Sequence, residues 1–135
     1  MTAPTSLAGR RILVVEDDML IAVLIEEALQ ELGCTVVGPV GRLDAALHLA
    51  GNEALDAAIL DVNIRGGLVY PVAERLRSRS VPIALASGYG DWALPAAFRD
   101  QPRLTKPFTR DDLEAQVRLL CGAQEGVKPA LASPV

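Results

Sequence analysis

The 135-residue chain is poor in the residues that most often carry metal or thiol chemistry: it has one histidine, His48, and two cysteines, Cys34 and Cys121. A single histidine leaves a zinc centre or a Ser-His-Asp triad almost without support, and His48 reads as a solvated helical residue. Two isolated cysteines make neither a disulfide framework nor a CxxC metal site and read as small buried thiols in a reducing compartment. Long apolar runs are missing too. The longest, residues 19–25, stops at Glu26-Glu27 and is far short of a membrane span. No charged start leads into an apolar segment, so no export signal is visible and a cytoplasmic location is expected. Basic excess is absent: thirteen Lys and Arg against seventeen Asp and Glu give a net charge of −4, which argues against general nucleic-acid binding.

What the chain does have is a set of polar residues that recur at the ends of apolar runs. Glu16-Asp17 follows Ile12-Leu13-Val14-Val15, Asp61 follows Ala57-Ala58-Ile59-Leu60, Ser87 follows Ile83-Ala84-Leu85-Ala86, and Lys106 follows Leu104-Thr105. Such runs, separated by helical patterns, read as buried parallel strands, and in open α/β sheets ligands bind beyond the carboxyl ends of the strands. Four strand ends then converge on three carboxylates, a hydroxyl and an ammonium. Carboxylates packed this closely repel one another and call for a divalent cation, and all-oxygen ligands suit a hard ion: Mg²⁺ first, with Mn²⁺ or Ca²⁺ behind it. A lysine and a hydroxyl beside a metal suit an oxyanion, with phosphoryl as the group that fits best and Asp61 as its acceptor.

With half its residues apolar, the chain can bury one core and has no room for a second substantial domain. Residues 1–9 and 122–135 read as mobile tails around one domain spanning 10–121. Within it, Asp18 caps a helix over 19–32 that ends at Gly33 and should be substantially buried. Residues 35–40 read as an edge strand because Pro39 cannot donate into a central ladder. Leu43, Leu47 and Ala50 mark a second helix, and 71–78 a third with Pro71 in its first turn. Residues 88–102, punctuated by Gly88, Gly90, Pro95 and Pro102, leave room only for a short helix around 91–98. The fifth strand spans 103–106. Thr109 and Asp112 resemble a capping box that opens a last helix whose buried stripe is Leu113, Val117 and Leu120. Five strands and five helices alternate. Arg75, Arg77 and Arg79 read either as a solvated helix end or as a docking patch for an acidic partner.

Residues 14–18 (Val-Val-Glu-Asp-Asp), Asp61-Val62-Asn63, Ala86-Ser87-Gly88 and Lys106-Pro107-Phe108, in this order and at these strand ends, resemble the receiver domain of two-component response regulators over roughly residues 10–121. The resemblance implies an α/β, flavodoxin-like (CheY-like) doubly wound sheet of five parallel strands in the order 2-1-3-4-5. It makes Asp61 the phosphoacceptor, Asp17 a direct metal ligand, Glu16 a ligand acting mainly through metal-bound water, and the Asn63 backbone carbonyl a further ligand. Ser87 and Lys106 would each contact a phosphoryl oxygen, and Lys106-Pro107 would be cis. Gly88 is either a turn residue or leaves space beside the acyl phosphate. The chain departs from the family at Arg103, where receivers usually carry Tyr or Phe, and at Arg65, where proline is common.

The expectation is a single-domain response regulator that takes a phosphoryl group from a sensor histidine kinase or histidine phosphotransfer protein and signals through protein contacts with a downstream target. It would be a monomer or weak dimer, not a dedicated enzyme, with no direct DNA binding and no membrane association. A phosphorylation-independent interaction module and a Mg²⁺-dependent phosphohydrolase are the alternatives.

Overall fold

The computed structural model describes residues 7–88 and 95–127. Its central sheet has five parallel strands, β1 (Arg11–Val15), β2 (Thr35–Val40), β3 (Ala57–Asp61), β6 (Ile83–Ser87) and β7 (Arg103–Thr105), in the order β2-β1-β3-β6-β7. Numbered within this sheet the order is the expected 2-1-3-4-5. Four helices cover it: α1 (Met19–Glu31), α2 (Leu43–Asn52), α3 (Tyr70–Ser78) and α4 (Arg110–Val127). Period-2 alternation along the strands divides the core in two. Leu13, Val15, Leu60 and Leu85 face α2 and α3, whereas Ile12, Val14, Ile59 and Ala84 face α1 and α4. Both faces of β3 and β6 are covered, which is why these strands are apolar throughout until their last residue.

Local chemistry fixes the helix ends. The Asp18 carboxylate accepts from the Leu20 and Ile21 amides at the start of α1. Thr109 and Asp112 form a reciprocal box: the Asp112 amide donates to Thr109 Oγ1 at 3.0 Å and the Thr109 amide to Asp112 Oδ2 at 2.9 Å. The three α3 arginines are neither a free patch nor simply solvated. Arg75 donates to the Leu47 carbonyl and Arg79 to the Ala50 carbonyl, both on α2, while Arg77 donates to the Ala97 carbonyl. Arg79 thereby satisfies an acceptor that the C-terminal turn of α2 leaves open.

Several expectations need correction. Among the described residues there are four α-helices rather than five. Of the stretch 91–98, where a short helix was expected, the described part is a 3-10 turn at Ala96–Phe98 preceded by Pro95, and residues 89–94, Trp92 included, lie outside the described set. Phe98 anchors this turn. Its ring is buried, stacked on Tyr70 at 5.4 Å, with the Arg77 guanidinium 4.6 Å from its centroid. A two-stranded ribbon, β4 (Asn63–Ile64) and β5 (Gly67–Leu68), was not expected. It reverses at Gly66 and Gly67, whose φ values of 98° and 140° a side chain would oppose.

Structure reaches beyond residues 10–121 at both ends. Leu7 is buried in the α1/α4 half of the core and the Gly9 amide donates to the Gly33 carbonyl, while α4 runs on to Val127. Ala123, Gln124 and Glu125 favour helix enough to carry it past Gly122. Helix α1 is not substantially buried either. The sheet and α4 cover Ala22, Ile25, Ala28 and Leu29, but Met19 is 74% and Leu20 70% exposed, with Val23 and Leu24 also open. No helix among the described residues is long and apolar enough to cross a membrane.

Two substitutions check this account. Thr109→Ala removes the acceptor for the Asp112 amide and should cost about 1 kcal/mol in urea unfolding, a loss that Thr109→Ser avoids. Phe98→Ala should cost about 3–5 kcal/mol. A value near zero would show that the 96–98 turn is not anchored through this ring.

Candidate functional site

Strand register brings the predicted residues together. Val15 pairs with Leu60, so Glu16 lies beside Asp61; Asp61 pairs with Ala86, so Ser87 lies one step beyond it; and Ser87 pairs with Thr105, which puts Lys106 at the same edge. The Lys106 amide donates to the Ser87 carbonyl at 2.8 Å and so extends the ladder into the site. Lys106-Pro107 is cis, as the resemblance implied, and so is Gly38-Pro39 at the edge strand.

The side chains converge as well. The Lys106 ammonium lies 2.9 Å from Glu16 Oε1 and 3.3 Å from Asp61 Oδ2, with both carboxylates almost wholly buried. Glu16 Oε2 accepts from the Asp18 amide at 3.0 Å, which fixes the glutamate's orientation. One oxygen each from Glu16, Asp17 and Asp61 lie within 4.8 Å of one another. Asp17 is half-buried at the rim, and Ser87 is buried at the end of β6.

This crowding has an electrostatic signature. Burial, together with a hydrogen bond to Glu16 and its charge, pushes the Asp61 carboxyl up to about 7 against the opposing pull of Lys106. For Lys106, burial alone would lower the ammonium, but the hydrogen bond to Glu16 and the charges of Asp61 and Glu16 outweigh it and leave the group raised. Lys106 therefore stays charged while one lysine faces two buried carboxylates and a third at the rim. A donor set of hard oxygens with surplus negative charge fits a hard divalent cation such as Mg²⁺.

Asn63 opens the ribbon directly after Asp61-Val62, and its side chain is exposed. A Cβ on Gly88 would meet nothing within 4 Å among the described residues. Arg103 is exposed on edge strand β7, and its carbonyl accepts from Gln116 on α4 at 3.3 Å. The cysteines are inert: burial raises both thiols, Cys34 to about 11.

One contributor was not singled out in the sequence. Gly41, between β2 and α2, backs directly onto the acidic pair, since a Cβ there would fall 2.9 Å from Asp17 Cα and 3.2 Å from the Glu16 carbonyl oxygen. A glycine one residue past an edge strand was its only sequence signal.

Known proteins share this arrangement. The family described as the response regulator receiver domain matches residues 12–118. The transcriptional regulatory protein PdtaR of Mycobacterium tuberculosis is 32% identical over 127 residues, covering 88% of this chain, and the chain spans 62% of that relative's length. The solution structure of SdrG from Sphingomonas melonis Fr1 is 41% identical, with a TM-score of 0.74 over 88% of this chain and 98% of that one. A receiver domain of the sensor histidine kinase PA1611 from Pseudomonas aeruginosa, 28% identical, superposes with a TM-score of 0.76 over 85% of this chain and 99% of that one, and carries a magnesium ion in its active-site cleft. With the Asp61 carboxylate, the acidic pair, the Ser87 hydroxyl and Lys106 meeting at one sheet edge, the chain belongs to the response regulator receiver domain family.

Proposed function

We propose that the protein is a response regulator whose Asp61 accepts a phosphoryl group from the phosphohistidine of a sensor histidine kinase or histidine phosphotransfer protein. It passes the signal on through protein contacts in the cytoplasm and is not a dedicated enzyme. The observation that carries this reading is the meeting of Asp61 with Lys106, Glu16 and Asp17 at the carboxyl edge of the sheet.

In the transfer, an Asp61 carboxylate oxygen attacks phosphorus in line as the P–N bond of the donor breaks. Lys106 swings its ammonium to an equatorial phosphoryl oxygen, and the Ser87 hydroxyl donates to another. Asp17, Asp61 and the Asn63 carbonyl, with Glu16 mainly through metal-bound water, would hold Mg²⁺, with Mn²⁺ or Ca²⁺ as substitutes, and the bound ion would supply charge neutralisation on the transferring group. Gly88, without a side chain beside Ser87, leaves room for donor and water alike. The exposed apolar residues Met19, Leu20, Val23 and Leu24 start beside Asp18 and supply contact area for a protein donor. A groove of about 580 Å³ between α1 and α4 continues this surface to Lys106, Pro107 and Phe108.

Incubation with acetyl phosphate and Mg²⁺ should add the mass of one phosphate to the intact protein. The gain should vanish in Asp61→Asn and with excess EDTA. No gain with any donor would favour the phosphorylation-independent module, and turnover of simple phosphoesters the phosphohydrolase.

The raised Asp61 carboxyl also links stability to pH. From its ordinary value of 3.8 up to about 7, the folded state holds a proton that the unfolded chain has released, so stability falls as pH rises through that window. Asp61→Asn removes this penalty. In EDTA it should exceed wild type by about 1–3 kcal/mol at pH 8, with the gain shrinking towards pH 4. Equal gains at both pH values in urea titrations would contradict it.

A further inference from the structure

We infer that Arg42 and Arg65 form a cationic edge of the Asp61 site that draws in a dianionic phosphodonor while opposing metal binding. This rests on the phosphoacceptor reading above and adds two residues that it does not use.

The backbone sets the edge in place. Gly41 packs against Asp17, so the next residue, Arg42, is held one step from a carboxylate of the acidic cluster. On the other side, Arg65 follows the acceptor strand by four residues and is hooked to the same loop. Its amide donates to the Gly41 carbonyl at 3.0 Å, and its carbonyl accepts from the Leu43 amide at 2.8 Å. Arg42 and Arg65 thereby form a parallel bridge. Residues bridged in parallel stand side by side, with their side chains leaving the same face of the backbone.

Two guanidinium groups in such a position repel each other, and like charges paired across strands are ordinarily unfavourable. The neighbourhood does little to relieve this. Arg42 has an ion pair with Asp44 at 3.5 Å, but the two side chains are 65% and 78% exposed, and pairs of that kind are weak. Arg65 is exposed and has no acidic partner among the described residues. A locally unfavourable pair with only this weak compensation points to a role outside the fold.

The surrounding charges say which role. The mouth of the site carries Glu16, Asp17, Asp18 and Asp61, and Lys106 is the cation within it. An approaching phosphoryl dianion is repelled by that cluster, and two arginines at its rim reverse the local potential along one side. Such fields act on encounter rates and are screened within about 10 Å at 0.1 M salt. The same field must disfavour a cation. Anion capture and Mg²⁺ affinity therefore move in opposite directions when the arginines are removed, which a merely structural role would not produce.

The test compares wild type with Arg42→Gln/Arg65→Gln and with Arg42→Lys/Arg65→Lys. The rate of Asp61 labelling by acetyl phosphate is followed by intact mass at saturating Mg²⁺, and Mg²⁺ affinity by calorimetry. At about 20 mM salt the Gln variant should label roughly three- to tenfold more slowly, with the deficit mostly gone at about 500 mM salt. It should also bind Mg²⁺ more tightly, and the Lys variant should match wild type in both. An unchanged rate at low salt, a deficit that persists at high salt, or weakened Mg²⁺ binding would each overturn the inference. If wild type itself takes up no phosphate, both this edge and the phosphoacceptor reading fall; if wild type labels and the Gln variant equals it, the edge alone falls.

Discussion

The ammonium of Lys106, held between Glu16 and Asp61, is the contact on which the site depends. Buried carboxylates side by side are costly, and one cation within about 3 Å of both is what allows them to remain there. The arrangement is deliberately short of full neutrality. With Asp17 at the rim, three carboxylates face one lysine, and the residual charge fits a divalent cation. The same shortage appears as the upward displacement of the Asp61 carboxyl. Stability given up at the sheet edge is thus what makes the site fit for a cation, an ordinary relation between strained sites and what they do.

Much of this was legible in the chain itself because the signals were local and repeated. Four of the five strands of the central sheet lead into a residue of definite chemistry, and parallel register then needed only the alternation of strands and helices to align those ends. Asp18 as a cap, the Thr109 and Asp112 box and the edge position of Pro39 followed from single-residue rules that the tertiary structure had no reason to override.

What was hidden depended on contacts between distant segments. The apolar run of α1 looked like a buried face, but nothing in a linear pattern says that only one side of the helix meets the sheet. The Asn63–Leu68 ribbon is too short to carry a periodic signal. The roles of Arg75, Arg77 and Arg79 lie in carbonyls about twenty to thirty residues away, invisible to any reading of helix charge. Gly41 belongs to the same class: its importance is the proximity of Asp17, a fact about the fold rather than about the tripeptide around it.

Those three arginines have a mechanical consequence. By fastening α2 and the 96–98 turn to α3, they tie three segments packed on one face of the sheet to one another. Hydrogen bonds that cross between separate elements oppose the sliding of one past another, so these segments are coupled by polar contacts as well as by the apolar core beneath them.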